Sequence, residues 1–183
     1  KKGPEALGLL QEFVAFANRE RPDYVVDLGD RITDVDRATD RDLTAEVASV
    51  FAGLEAPRHH ILGNHDVAFM EIADNEELLG HAMSHASVDA RGYHLVFWQM
   101  DTRLNLEGGF TPDAGDLDWL RQDLAASTLP AVIFSHVPLD GGSMRGNYWF
   151  QNNARFGGLP HTDDIQEIIQ GAGNVVLCVA GHV

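Results

Sequence analysis

Four short apolar stretches, each ending in side chains that can bind a metal, most constrain the fold of this 183-residue chain. The first begins at Val25 and ends at Asp30, and the second ends in Gly-Asn-His-Asp at 63–66. The third ends at His136 and the fourth at His182. Short apolar runs are typical of buried strands in α/β folds, and sites form beyond their carboxyl ends. The repeated placement predicts one crevice lined by carboxylate, amide and imidazole groups.

Segments with helical spacing alternate with the apolar runs, which favours an α/β fold. A hairpin is expected around Ala90-Arg91-Gly92, and its antiparallel pair makes the sheet mixed. Thr111-Pro112 is typical of a helix start, with threonine as the cap. The expected helices cover residues 5–19, 43–54, 68–79, 111–126 and 162–169.

Length and termini predict one domain over residues 1–183, truncated or incompletely covered at both ends. The chain starts at Lys1 without a methionine and stops directly after a Gly-His pair. A helix precedes the first recognisable strand, so an earlier N-terminal strand is expected to be missing if the unit is βαβ. The segment from 138 to 160 is rich in Gly and Asn, and a loop of that length is usually functional or disordered.

The net charge and the cysteine content limit which binding partners and which cellular compartment are expected. The net charge of −15 argues against a nucleic-acid backbone as partner, because phosphate contacts need clustered Lys and Arg. No apolar run approaches the length of a membrane span. The single cysteine, Cys178, is expected to be a buried hydrophobic residue. One cysteine is compatible with a reducing compartment, and a cytoplasmic location is the expectation.

The polar residues at the strand ends have the chemistry of metal ligands. A carboxylate, an amide oxygen and two imidazoles, with no thiolate, suit a divalent ion such as Mn, Fe, Zn, Co or Ni. These four alone can hold one metal and leave positions open for water, as a catalytic site requires. The candidate ligands are Asp30, Asn64, His136 and His182.

The order of these blocks resembles four of the five signature blocks of the calcineurin-like metallophosphoesterase superfamily, in its phosphodiesterase-like branch. The resemblance covers the chain from about Tyr24 to its end. It implies a mixed β-sheet sandwich flanked by helices, in four αββα layers. The fifth block, Asp-x-His on a first strand, and the second His of the final Gly-His-x-His do not occur in this chain. The matching blocks are Gly29-Asp30, Gly63-Asn64-His65-Asp66, Ser135-His136-Val137-Pro138 and Gly181-His182.

The resemblance implies a metal-dependent hydrolase of phosphoesters, with a dinuclear metal centre and a metal-activated water. Asp30 would bridge two divalent ions, and the other three ligands would complete one of the two metal sites. His65 would be the catalytic histidine that touches the reacting phosphate or the leaving oxygen. Asp66 would orient the imidazole of His65 through a hydrogen bond.

Several alternatives stay open. Phosphodiesterase, phosphomonoesterase and nucleotide pyrophosphatase activities are all compatible with a small phosphorylated substrate, including a nucleotide. The competing class is a non-catalytic binding scaffold on the same fold. Arg145 and Arg155 are candidates for binding a substrate phosphate, because a guanidinium fork fits phosphate. The aromatic residues at 148–150 are expected to pack the long loop rather than to stack on a base. Asp34 and Asp36 are expected to be loop carboxylates.

Overall fold

The computed structural model describes residues 5–107, 109–141, 144–159 and 162–182, without the side chain of Arg155. Short 3-10 turns cover His65–Val67 and Ala154–Phe156. No helix in these residues is long and apolar enough to cross a membrane. The helices are α1 (Ala6–Glu20), α2 (Arg37–Phe51), α3 (Ile72–Leu79), α4 (Ala114–Ala126) and α5 (Asp163–Ala172). The strands are β1 (Val25–Asp27), β2 (Arg58–His60), β3 (Ala86–Ala90), β4 (Tyr93–Phe97), β5 (Ala131–Ser135) and β6 (Val175–Ala180).

The strands form two sheets, which confirms the expected mixed α/β fold. Strands β1 and β2 pair in parallel, and the other four pair in the order β3-β4-β5-β6. The β3–β4 pair is antiparallel, whereas β4–β5 and β5–β6 are parallel. The hairpin turns at Arg91 and Gly92, whose φ angles of 52° and 83° are both positive. Positive φ at both turn positions matches the strand twist that two-residue hairpins require.

The two sheets lie between two groups of helices. One face of the larger sheet packs on α4 and α5 through Val96, Ile133, Leu120 and Ile165. From the opposite face, the Phe97 ring stacks on His59 of the smaller sheet, with ring centroids 4.0 Å apart. Alternate side chains of one strand point to opposite faces, so neighbours such as Val96 and Phe97 serve two different cores. Since α1 packs on β1 through its own apolar cluster, the layer order is helix, sheet, sheet, helix.

Aspartates, rather than threonine, set the starts of two helices. The expectation that α4 starts at 111–112 is wrong, because the cap is Asp113. Asp113 and Asp116 each accept the backbone N–H of the other, and this reciprocal box satisfies two donors at once. Helix α2 begins at Arg37, six residues before its apolar spacing starts, because Asp36 accepts the N–H of the third helical residue.

Strand β6 differs from the expectation for a buried run. Cys178 is exposed, so its prediction as a buried residue is wrong. Val176 and Leu177 are exposed as well. Among the described residues β6 is an edge strand, and it has a neighbour only on its β5 side. An apolar sequence run therefore identified the strand correctly without indicating how much of it is covered.

Candidate metal centre

The glycines that follow β1 and β2, Gly29 and Gly63, let the chain segments beyond the two strands touch. A Cβ atom on Gly29 would overlap the backbone of Gly63, and a Cβ on Gly63 would overlap Asp30. Gly29 also has a φ of 89°, which side chains rarely adopt. The two glycines therefore bring Asp30 and the residues after Gly63 into direct contact.

Asp30 follows in the left-handed region, with a φ of 58°. Non-glycine residues seldom adopt this conformation, although Asp and Asn tolerate it best. Two hydrogen bonds hold the residue there: its N–H donates to Asp66 Oδ2 at 2.9 Å, and its Oδ1 accepts the N–H of His65 at 3.0 Å. Such strain is often stored at functional sites, and here it turns the carboxylate toward the other strand ends.

Strands β5 and β6 supply the two imidazoles. The chain after β6 is held to the end of β5, because Gly181 and His182 both donate their N–H groups to the His136 carbonyl, at 3.0 and 2.8 Å. A Cβ on Gly181 would lie 2.8 Å from the Cβ of Leu28. Only glycine therefore lets β6 approach the tip of β1 this closely.

Each imidazole uses one nitrogen to hold its orientation. His136 Nδ1 donates to the Leu28 carbonyl at 2.7 Å, and His182 Nε2 donates to the Phe156 carbonyl at 2.7 Å. Because a carbonyl can only accept, these partners assign the ring protons to the outer nitrogens. Each inner nitrogen, His136 Nε2 and His182 Nδ1, is left with a lone pair. This is the arrangement in which histidine binds a metal.

The inner acceptor atoms converge on one point. His136 Nε2 lies 3.2 Å from His182 Nδ1 and 3.2 Å from Asn64 Oδ1. The Asp30 carboxylate lies 3.6 Å from His136 Nε2 and 4.0 Å from His182 Nδ1. Burial lowers the pKa of His182 below its usual range, with a further contribution from His136, so the ring is neutral at pH 7. Lone pairs facing each other in a buried place fit a divalent cation, and the donor types suit the metals expected from the sequence.

His65 lies beside this cluster with a different partner. Its Nε2 is 4.0 Å from Asp30 Oδ2, and its Nδ1 pairs with Asp34 Oδ1. The carboxylate that orients His65 in the structure is therefore Asp34, and not Asp66 as expected. The sequence predicts only a loop carboxylate at Asp34, and the signal for its role is its position four residues after Asp30.

Asp66 instead holds the backbone of the site together. It is 1% exposed, and its Oδ2 accepts the N–H groups of Asp30 and Gly63 at 2.9 and 2.8 Å. Its Oδ1 accepts the N–H of Arg31 at 3.0 Å, and the Arg31 guanidinium donates to Oδ2 at 3.1 Å. A single carboxylate therefore ties together the chain segments that follow β1 and β2.

We expect Asp66→Ala to destabilise the protein by roughly 3–5 kcal/mol, because it removes one partner of a buried ion pair. The side chain of Arg31 is only 3% exposed and would be left with Asp27 as its carboxylate partner, at 3.3 Å. The double variant Asp66→Ala/Arg31→Met should regain none of the loss, because Arg31→Met also removes the guanidinium from Asp27. Urea denaturation of the variants measures these differences.

The matched control is Asp118→Ala on α4, where the carboxylate pairs with Arg121 at 2.5 Å and both side chains are exposed. Exposed ion pairs contribute about 0–1 kcal/mol, so this variant should unfold almost as the wild type does. If Asp66→Ala costs no more than the control, the placement of Asp66 at the junction of the two tips is wrong.

The two arginine candidates lie in the long loop. Arg145 is exposed, and the side chain of Arg155 lies outside the described residues, so substrate binding by either remains a prediction. The aromatic residues of the loop differ in how far they are exposed. Phe150 packs on the ring of His182, with centroids 5.0 Å apart. Tyr148 and Trp149 are exposed, contrary to the expectation that they pack the loop.

Comparison with known proteins gives a family and a fold. A family model described as calcineurin-like phosphoesterase matches residues 4–183. The crystal structure of a dimetal phosphatase from Danio rerio is similar, with a TM-score of 0.77 and 16% sequence identity. The match covers 98% of this chain and 72% of that one. No curated protein matches the sequence. At this identity the structural likeness shows the fold, and the family assignment comes from the sequence match.

Proposed function

Because the chain belongs to the calcineurin-like phosphoesterase family, we propose that it is a metal-dependent hydrolase of phosphate esters. One observation carries the proposal: four acceptor side chains from four strand ends meet at a single point. Asp30, His136 and His182 offer ligand atoms that all lie within 4.8 Å of one another. Asn64 adds a neutral amide oxygen at 3.2 Å from His136 Nε2. Phosphomonoesters and phosphodiesters are both candidate substrates.

The four residues would contribute different groups to a bound cation. Asp30 contributes the negative charge, and its two oxygens allow it to bridge two ions, as the resemblance to the family implies. His136, His182 and Asn64 add neutral donor atoms, so the site keeps a net positive charge when loaded. When bound there, a Mn, Fe, Zn, Co or Ni ion would supply Lewis acidity, which would polarise a phosphoryl oxygen and lower the pKa of water.

In the proposed reaction His65 acts on the leaving oxygen. Asp34 accepts the Nδ1 proton, which leaves Nε2 on the side of Asp30, 4.0 Å from Oδ2. From there a protonated Nε2 can donate its proton to the alkoxide that departs from phosphorus. General acid catalysis of this kind typically contributes roughly 10²–10⁴-fold. In this proposal Asp34 positions the ring, and Asp66 positions the backbone on which His65 stands.

Charge and cysteine content define the expected substrate and compartment. With a net charge of −15, the protein repels a long polyanion more strongly than a small phosphorylated molecule. We therefore propose a small substrate, with nucleotides among the candidates, rather than a nucleic acid. The single cysteine is compatible with a reducing compartment, and we propose the cytoplasm.

Metal removal tests the proposal. The protein as purified should hydrolyse bis(4-nitrophenyl) phosphate or 4-nitrophenyl phosphate, and EDTA followed by dialysis should abolish this activity. Adding Mn²⁺ should restore it, and the same ion should raise the melting temperature, because ligands that bind only the folded state stabilise it. Hydrolysis that survives chelation contradicts the proposal. Stabilisation by Mn²⁺ without hydrolysis of either ester favours a non-catalytic scaffold.

A further inference from the structure

Two exposed aromatic side chains stand side by side in the loop that borders the metal centre. Tyr148 is 81% exposed and Trp149 is 73% exposed. Their ring centroids are 4.9 Å apart and their planes are at 89°, so the pair forms an open corner. Single exposed hydrophobic residues are ordinary, but an exposed aromatic pair beside a ligand site indicates a contact surface. At this exposure, neither ring packs in the hydrophobic core.

The backbone under the corner is held in a defined turn. Asn147 Oδ1 accepts the N–H groups of Trp149 and Phe150 at 2.8 and 3.0 Å, and the Asn147 carbonyl accepts the N–H of Gln151 at 3.2 Å. The next side chain, Phe150, stacks on the His182 imidazole at 5.0 Å. The corner therefore begins one residue away from a side chain that touches the metal centre.

A second contact fixes the far side of the same loop. The Phe156 carbonyl accepts the N–H of His182 Nε2 at 2.7 Å. A Cβ on Gly157 would lie 2.9 Å from the Cβ of Phe150, so a glycine is needed for the loop to close over that ring. Because Phe150 and Phe156 both contact His182, the segment directly after the corner is anchored beside the metal centre.

We propose that Tyr148 and Trp149 bind a planar heteroaromatic group of the substrate, of the size of a nucleobase, while its phosphate lies at the metal centre. The inference rests on the proposed phosphoesterase function and adds the substrate class, nucleoside phosphates. A base can stack on the face of one ring and meet the other ring at right angles, both favourable aromatic geometries. Stacking of this kind does not discriminate strongly between bases, so a general preference for nucleosides is expected.

Two phosphodiesters with the same leaving group test the proposal directly. Thymidine 5′-(4-nitrophenyl phosphate) and methyl 4-nitrophenyl phosphate both release 4-nitrophenol and differ only in the nucleoside. Wild-type kcat/KM should be about 5- to 150-fold higher for the thymidine ester, the range expected for stacking of one base on an aromatic side chain. Trp149→Ala should bring this ratio toward one, and Trp149→Phe should keep part of it. Phe16→Ala, an exposed ring on α1, is the control and should leave the ratio unchanged.

A binding measurement separates this inference from the proposed function. The His65→Asn variant is used for calorimetry so that AMP and ribose 5-phosphate are not hydrolysed during the measurement. This variant should bind AMP more tightly than ribose 5-phosphate, by a similar factor. The added Trp149→Ala substitution should remove the difference. If neither ester is cleaved but AMP is still preferred, the hydrolase proposal fails and the aromatic corner stands. Equal affinities for AMP and ribose 5-phosphate, or a wild-type ratio near one for the two esters, would overturn the corner.

Discussion

Asp30→Asn is expected to abolish the hydrolysis of aryl phosphodiesters and to lower the content of bound metal. The substitution keeps the shape of the side chain but removes its negative charge, so the proposed metal site would lose the charge that Asp30 contributes. Asn is also the best choice for the backbone, because it tolerates the φ of 58° that Asp30 adopts. Any loss is therefore a property of the carboxylate and not of a strained turn.

Elemental analysis and the melting temperature in Mn²⁺ separate loss of metal from loss of fold. The wild type should gain stability on adding Mn²⁺ and Asp30→Asn should gain much less, while both keep similar melting temperatures in EDTA. Asp118→Asn, on the exposed surface of α4, is the control and should bind metal as the wild type does. Full activity in Asp30→Asn would remove Asp30 from the site and, with it, the convergence on which the function depends.

His65→Asn is expected to reduce turnover of an alkyl phosphodiester by roughly 10²–10⁴-fold while the metal content stays close to that of the wild type. A general acid matters most when the departing oxygen is basic. The loss should therefore be far smaller for a 4-nitrophenyl ester, whose leaving group departs without a proton. Steady-state kinetics on the two esters, together with elemental analysis, provide the measurement.

Asp34→Asn should show a smaller loss with the same dependence on the leaving group, because it acts by holding the Nδ1 side of the ring. A purely structural role for Asp34 would lower the rates of both esters equally. A uniform loss in His65→Asn, or a loss of metal, would make His65 a ligand or a structural residue instead of the proton donor.

Part of the convergence of the candidate ligands was predictable from a general property of α/β sheets. Apolar runs identify strands, and parallel neighbours in one sheet end at the same edge, so the β1–β2 pair brings Asp30 to Asn64 and the β5–β6 pair brings His136 to His182. Asp30, Asn64, His136 and His182 each follow such a run, and the structure brings their acceptor atoms together. The helix–sheet–sheet–helix layering was expected only through the resemblance to the family, since periodicity alone does not determine how two sheets stack.

The partner of His65 was not predictable from the residues around it. Asp66 is its neighbour in sequence, yet the left-handed turn at Asp30 carries residues 31–34 across the site and places Asp34 on the ring. That outcome depends on the backbone contact between two glycines that are 34 positions apart in the chain. The exposure of Cys178 was equally unpredictable from the sequence, because an apolar run looks the same whether or not another layer covers the strand.

The hydrogen bond from His182 to the Phe156 carbonyl couples metal binding at the proposed site to the conformation of the neighbouring loop. In the proposed metal centre the His182 ring would hold the ion through Nδ1, while its Nε2 holds the loop that carries Tyr148 and Trp149. By thermodynamic reciprocity, a substrate that orders this loop would also raise the affinity of the proposed site for its cation. If the proposals hold, substitutions in this loop that change substrate preference should also change the affinity for the metal.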